Sequence, residues 1–438
     1  MQTKSRFDPN SPEIKAYLNE LAHQFVREGI MVAFPTCLPG MTTPITHDES
    51  HITALDINSE GHVYGGTSGR QAHLFGAAFH GLTGIVLDAG AVPGSTTTEA
   101  ICCGPSRVIA FVNGPQGGRA VAMPHLDLAE DWIQEWGLEE PVLKDLGECV
   151  PGEPVVHAIS APSGKTVAGV TTRHLFTVDV ESGAITVVGE APGRGHLAMG
   201  RAGVFGQDEG TQLWHFDVAS GHIRRAAVHL PDGEWAGPLR WTRDRHSGLL
   251  FTADAAGRLF SFDENKGFRA LGRAHLAPVG PMAAVPDGRL FGFCGDEMAN
   301  LFCCDTVSGS FTNLGVAASI LEQRRYGYQF GDAVTGPDGE IVFGEDDHGG
   351  HLWLYFPKIK GVSSTLYSQT SIPGAPKQHA KESAGASSVG GDESIRSNLP
   401  NLQATDANLL SGASRPGVGA ESTSSDTQCG SPAQVPHP

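Results

Sequence analysis

Apolar and polar residues alternate along much of this chain with the period of two that marks half-buried strands. The pattern is plainest from Leu175 to Gly183, LFTVDVESG. It returns as LWHFDVASG from Leu213, LFSFDENKG from Leu259 and LFCCDTVSG from Leu301. Each copy alternates for four or five positions and then turns on Asp-x-x-x-Gly, which reads as a strand entering a tight turn. Central strands of the same kind begin at Leu74, Ala120, Leu175, Leu213, Leu259, Leu301 and Leu352. Their mean spacing is about 46 residues, the length of a four-stranded propeller blade. A strand precedes each, as in HVYGG, LLFTA, RLFGF and EIVFG. Another often follows and closes on small residues, as in IVLDAGAVPG, VLKDLGECVPG and ITVVGEAPG.

The seventh unit stops after its third strand, LWLYFP (Leu352 to Pro357). Near the other end of the chain GIMVAFPTCLPG (Gly29 to Gly40) has the closing Pro-Gly of an outer strand. Pairing of these two segments is expected to lock a ring shut, which leaves no long free sheet edge.

On this period and blade pattern the chain from about Gly29 to Pro357 resembles a seven-bladed β-propeller of the broad WD40-like and YVTN-like type. The Gly-His and Trp-Asp signatures of true WD40 repeats and the kelch double glycine are absent, so the resemblance implies architecture and transfers no catalytic residue. The expected fold is all-β in three parts. Residues 1–28 form a helical lead-in, with Ile14, Leu18, Leu21, Ala22 and Phe25 at helical spacing. Residues 29–357 form the propeller, closed by an N-terminal strand. Residues 358–438 form a disordered Ser/Gly/Pro-rich tail, which has too little apolar surface to offset its ordering entropy. An insert from His125 to Gly147, with Trp132 and Trp136, interrupts the second blade between its third and fourth strands.

Composition narrows the partners. Glycine (57) and proline (28) are abundant, as a turn-rich β body requires. A formal charge of −18 repels phosphate backbones and anionic lipid, which argues against nucleic acid and membrane surfaces. The N-terminus has no apolar core of a secretory signal, and no run is long enough to span a bilayer. Eight cysteines without a C-x-x-C read as reduced thiols, and with the missing signal they suggest a cytoplasmic protein.

Propeller ligands usually sit over the central channel, on the face carrying the loops that lead into the inner strands. Aligned by blade, those loops place Thr53, Glu99, His157, Leu197, Leu239, Met282 and Asp332 at equivalent positions. Glu99, His157 and Asp332 break an otherwise apolar or neutral series, with His196 and His51 close by. Such a group suits general acid–base work or a divalent ion, and equally suits ordinary polar residues at a wet channel mouth. Asp208, Asp254, Asp296 and Asp347 each precede a central strand by five residues, the mark of a turn device. Blade seven departs from that device with Glu345, Asp346, Asp347, His348 and His351. There Glu345, Asp347, His348 and His351 are candidate ligands for manganese, calcium or zinc. Arg70, Arg173 and Arg324 would pair with a carboxylate-bearing ligand, and Tyr326 and Tyr328 would stack on a sugar or donate a proton.

Two functions compete. The first is a lyase eliminating at an acidic, uronate-containing oligosaccharide, or a site for another small carboxylate ligand. His157 or His196 would be its base, Tyr326 or Tyr328 its acid, and Arg70, Arg173, Arg324 or a metal would neutralise the uronate, with Glu99 and Asp332 contacting substrate. The second is a non-catalytic scaffold that binds a protein or peptide partner, through one face or through the tail. It requires an exposed apolar or aromatic patch, for which Trp235, Trp241 and the Trp132/Trp136 insert are the candidates.

Overall fold

The computed structural model of the protein describes residues 12, 24–26, 28–36, 45–81, 83–126, 142–208, 212–226, 233–320, 326–347 and 349–358. The expected lead-in helix, the middle of the blade-two insert and nearly all of the tail lie outside these residues.

Seven antiparallel sheets make the ring. The inner strands of blades one to seven are His51–Ile57, Thr97–Cys103, Val155–Ser160, Ala198–Met199, Arg240–Arg243, Val279–Ala284 and Phe330–Thr335. In blades one to six the chain then passes outward through three neighbouring strands. The seventh sheet takes its outer strand from the start of the chain: Ile30–Pro35 pairs antiparallel with His351–Phe356, from Ile30 opposite Phe356 to Pro35 opposite His351. The expected closure is therefore the observed one. It is fixed by side chains as well as by the ladder, because Met31, Val32, Ala33 and Phe34 are all buried between blades. Tyr355 adds a hydrogen bond, donating from its hydroxyl to the Glu28 carbonyl at 2.9 Å.

The repeated stretch has a physical explanation at both ends. Its first residue is fully buried in every blade: Leu74, Ala120, Leu175, Leu213, Leu259, Leu301 and Leu352 are each 0% exposed. The aromatic that follows in several blades lies against a glycine of the second strand. Gly169 faces Phe176 and Gly206 faces Trp214, and any Cβ on either glycine would fall 2.2 Å from the opposing ring. At the far end the aspartate carboxylate accepts backbone N–H groups of the turn, as in Asp179 with Ser182 (2.7 Å) and Asp305 with Val307 (3.1 Å) and Ser308 (2.9 Å). The closing glycine adopts positive φ, +74° at Gly183 and +73° at Gly309, which only glycine takes without strain.

Three of the four aspartates before the central strands act in the same way. Asp208 accepts from the Gln212 amide (3.0 Å), Asp254 from Ala256 (3.1 Å) and Arg258 (3.0 Å), and Asp347 from Gly349 (2.7 Å).

Closure gives a direct expectation for stability. Val32 is 0% exposed and Ile30 is 42% exposed on the same strand. Val32→Asp is expected to cost more than about 3 kcal/mol by burying an unpaired charge, and Ile30→Asp less than about 1 kcal/mol. Urea unfolding monitored by tryptophan fluorescence measures both.

Candidate functional site

The inner strands share an irregularity that shapes the channel. Pairing slips by one residue at Thr53, Glu99, Val156 and Gly331, and again by one in blade six, where Gly280 and Pro281 stand opposite Phe293 alone. A bulge re-aims the side chains beside it. Here five of the seven inner strands are bulged near their starts, and the residues so aimed meet in a narrow waist.

The waist is a cavity of about 60 Å³ lined by Thr53, Glu99, His157, His196, Leu197, Arg240, Trp241, Met282 and Asp332, with Gly280, Pro281 and Gly331. Six of the seven positions aligned from sequence thus meet there. The seventh, Leu239, is buried in the blade-five core, and Arg240 and Trp241 face the waist in its place. On one side the channel opens to a groove of about 380 Å³ over blades five to seven, which shares Arg240 with the waist. On the other it widens into a chamber of about 480 Å³, which shares Glu99, His157, Trp241 and Asp332.

Residues in and beside the waist clasp neighbouring blades together. Asp332 of blade seven accepts the Leu55 N–H of blade one at 2.8 Å and the Ala333 N–H at 2.8 Å. Asp56 of blade one repeats this toward blade two, accepting from Cys103 (2.7 Å) and Ile57 (2.8 Å). Thr53 donates to the Thr98 carbonyl (2.7 Å). Asn113 of blade two holds both backbone groups of Val155 in blade three at 2.8 Å, and also donates to Glu99 (3.0 Å), which accepts the Thr97 hydroxyl as well (2.6 Å).

Burial dominates the electrostatics of the waist. It raises the Asp332 carboxyl to about 6, against the pull of the Leu55 and Ala333 amides and of Arg240. Burial, helped by the charge of Arg240, lowers the His157 imidazole to about 4. His196, whose ring centre lies 4.6 Å from that of His157, is driven well below the usual histidine value by burial, His157 and Arg240. His157 Nδ1 accepts the Leu197 N–H at 3.1 Å, so the proton of the neutral ring sits on Nε2. Arg240 donates to the Gly331 carbonyl at 3.3 Å, across the channel from blade five to blade seven.

The other sequence candidates lie elsewhere. Arg70 pairs with Glu49 (2.8 Å) and Asp48 (3.3 Å). Arg173 pairs with Glu153 (2.8 Å). Each carboxylate also binds the histidine that starts a central strand, His73 or His174, at 2.9 Å. Burial works to raise Glu153, yet hydrogen bonds from Thr171, His174 and Arg173 hold it at about 2. These two arginines fasten lead-in loops to blades one and three. Tyr326 lies on a two-residue fifth strand at the outer edge of blade six, stacked on Phe25 at 4.9 Å. Four strand spacings, roughly 19 Å, separate that strand from the inner one of its own blade. Tyr328 is 43% exposed on the groove rim, where its carbonyl accepts the Ala299 N–H (2.8 Å).

In blade seven Glu345 and His351 form a buried pair at 2.8 Å within the sheet, Asp347 caps its turn, and Asp346 pairs with His51 at 3.3 Å. Among the described residues no three His, Cys, Asp or Glu side chains are grouped to hold a metal ion. Arg324 and His348 lie outside the described residues. The six described cysteines are all free thiols. Among the described residues no helix is long and apolar enough to cross a membrane.

Comparison with known proteins adds little to the geometry. No family model matches the chain, and no curated protein does. Among solved structures it is similar to the β-propeller domain of Myceliophteria thermophila Cps50 (Swd1), with a TM-score of 0.48 and 12% identity, over 70% of this chain and 97% of that one.

The part-buried imidazoles set a pH dependence. Above the unfolded value of about 6.5 His157 is neutral in both states and its full contribution is present. As the pH falls toward about 4, the unfolded chain takes up a proton that the folded chain excludes, and stability is lost. His196 acts in the same direction. At about pH 5.5 the imidazole NMR shifts of His157 and His196 are expected to be those of neutral rings in the folded protein, with protonated shifts in a urea-unfolded sample. His157→Gln, which keeps an acceptor for Leu197, should reduce the acid loss of stability by up to about 3 kcal/mol.

Proposed function

We propose that this chain is a non-catalytic β-propeller scaffold that takes an apolar segment of a protein partner into the groove over blades five to seven. The observation that carries this reading is a cluster of exposed apolar side chains beside that groove: Leu276 (41% exposed), Met298 (47%) and Tyr328 (43%). Gly295 brings the first two together, since a Cβ there would lie 3.3 Å from Leu276 Cδ1 and 3.4 Å from the Met298 carbonyl oxygen. The Ala299 to Tyr328 hydrogen bond adds the third. The groove beside them has Pro238, Pro278, Pro281, Phe293 and Phe330 in its wall, with Arg240, Asp254, Asp296 and Asp346 among them. Phe293 and Phe330 stack at 3.7 Å and make a firm apolar surface. An apolar patch beside a pocket, edged with polar groups, suits one or two anchoring side chains of a partner.

The lyase reading needs a base, an acid and a carboxylate-binding group around one sugar ring. Here His157 faces both the waist and the 480 Å³ chamber, but Arg70 and Arg173 are held by carboxylates, and Tyr326 lies at the outer edge of a blade. The binding reading asks for no such assembly.

Selection of displayed peptides on the full chain tests the proposal. Selected peptides should carry an apolar anchor and lose at least about tenfold in affinity, or 1.4 kcal/mol, on Leu276→Asp with Met298→Asp. Both side chains are exposed, so folding should be unaffected. Peptides that bind both forms equally would contradict the proposal. So would an unsaturated product, seen by ultraviolet absorbance, formed from uronate oligosaccharides by the wild type and lost in His157→Ala.

A further inference from the structure

On the opposite face, the turns that leave the inner strands of blades four and five carry three arginines with few partners. Arg243 ends the blade-five strand, Arg245 lies in the turn after it, and Arg201 lies in the matching turn of blade four. Gly248 marks where two of them meet. A Cβ there would lie 3.3 Å from Arg243 Nη2 and 3.9 Å from both Arg243 Nε and Arg201 Nε.

The side chain of Arg243 makes no hydrogen bond and no ion pair among the described residues, and its Nε is buried without a partner. Arg201 has only a 3.4 Å contact to the Ser247 carbonyl. Arg245 reaches across the channel to Asp56 Oδ1 at 3.8 Å, too long for a hydrogen bond. The nearby carboxylates bond other groups. Glu264 accepts the Arg201 backbone N–H, and Asp244 holds the His246 amide (2.9 Å) and the Ser247 hydroxyl. Burial lowers Arg243 from its ordinary value, Glu264 draws it back up, and Arg201 and Arg245 push it down again. A half-buried guanidinium without a hydrogen-bond partner is costly, and an anion that bonds it would relieve the cost.

Arg243 and Arg245 also line the 480 Å³ chamber below the waist, a volume typical of small-ligand sites. Its wall bears Asn58, Ser59, Ser160, Thr242 and Thr335 together with the carboxylates Asp56, Glu99 and Asp332, partners suited to hydroxyl groups.

We infer that this end of the channel binds a small phosphorylated polyol, with the phosphate on Arg201, Arg243 and Arg245 and the hydroxylated body in the chamber. Guanidinium forks pair phosphate oxygens two at a time, and a phosphate engages more of these donors than a single carboxylate does. Arg245 exchanges its long contact with Asp56 for the ligand. The site is on the face opposite the proposed partner groove and does not depend on it.

Calorimetric titration of the full chain in phosphate-free buffer tests the inference, with inorganic phosphate, glucose, glucose 6-phosphate and a phosphoserine peptide as probes. Glucose 6-phosphate should bind more tightly than inorganic phosphate, and glucose should not bind. Arg243→Gln and Arg201→Gln should each weaken glucose 6-phosphate at least about tenfold, as loss of a charge-assisted pair does. Arg273→Gln, on a guanidinium bonded to the Ala256 carbonyl, should leave binding unchanged. Arg201 is exposed, so its variant tests the site even if Arg243→Gln folds poorly. Absence of binding by glucose 6-phosphate would overturn the inference, as would equal affinity in both arginine variants. Tighter binding of the phosphoserine peptide than of glucose 6-phosphate would also overturn it, by placing the phosphate outside the chamber.

Discussion

Six residue pairs between Ile30–Pro35 and His351–Phe356 join the two ends of the propeller. Each blade buries one face against the next, so an open ring would expose the apolar faces at the break. The closing strand supplies Met31 and Ala33 to the core between blades six and seven, and Val32 and Phe34 to the core between blades seven and one. One strand therefore completes two inter-blade cores. The alternation of its side chains sets its register, since a slip by one residue would exchange the two sets.

Inside the ring, Asp332, Asp56, Thr53 and Asn113 tie blades seven, one, two and three by side-chain bonds to backbone groups. These clasps use polar groups that a sequence reading assigns readily to chemistry. Asp332 is the clearest case: both oxygens hold backbone amides, and its raised carboxyl value follows from burial at a strand junction. Neutral histidines complete the waist. A narrow waist separates the groove over blades five to seven from the wider chamber on the other side.

The period, the blade count and the closing strand were legible because each rests on alternation and spacing, which the chain displays directly. Six of the seven aligned loop positions reached the waist for the same reason. What was not legible depended on register or on distant partners. Arg240 takes the place expected for Leu239, because a one-residue offset in a strand turns a side chain to the other face. Arg70 and Arg173 looked available until their carboxylate partners, Glu49 and Glu153, were seen in the lead-in loops. Tyr326 follows a long connection whose path no spacing rule gives. The cluster of Arg201, Arg243 and Arg245 joins turns of two blades, and no motif marks it.

Hydrogen exchange on the native protein tests the closure most directly. If pairing of the chain ends holds the ring, the amides shared by Ile30–Pro35 and His351–Phe356 should exchange only through global unfolding, as slowly as those of the blade-three strands. Exchange of the closing ladder by a separate, faster opening, with blade three still protected, would contradict that account. It would show that the other six blades hold the ring without the closing strand.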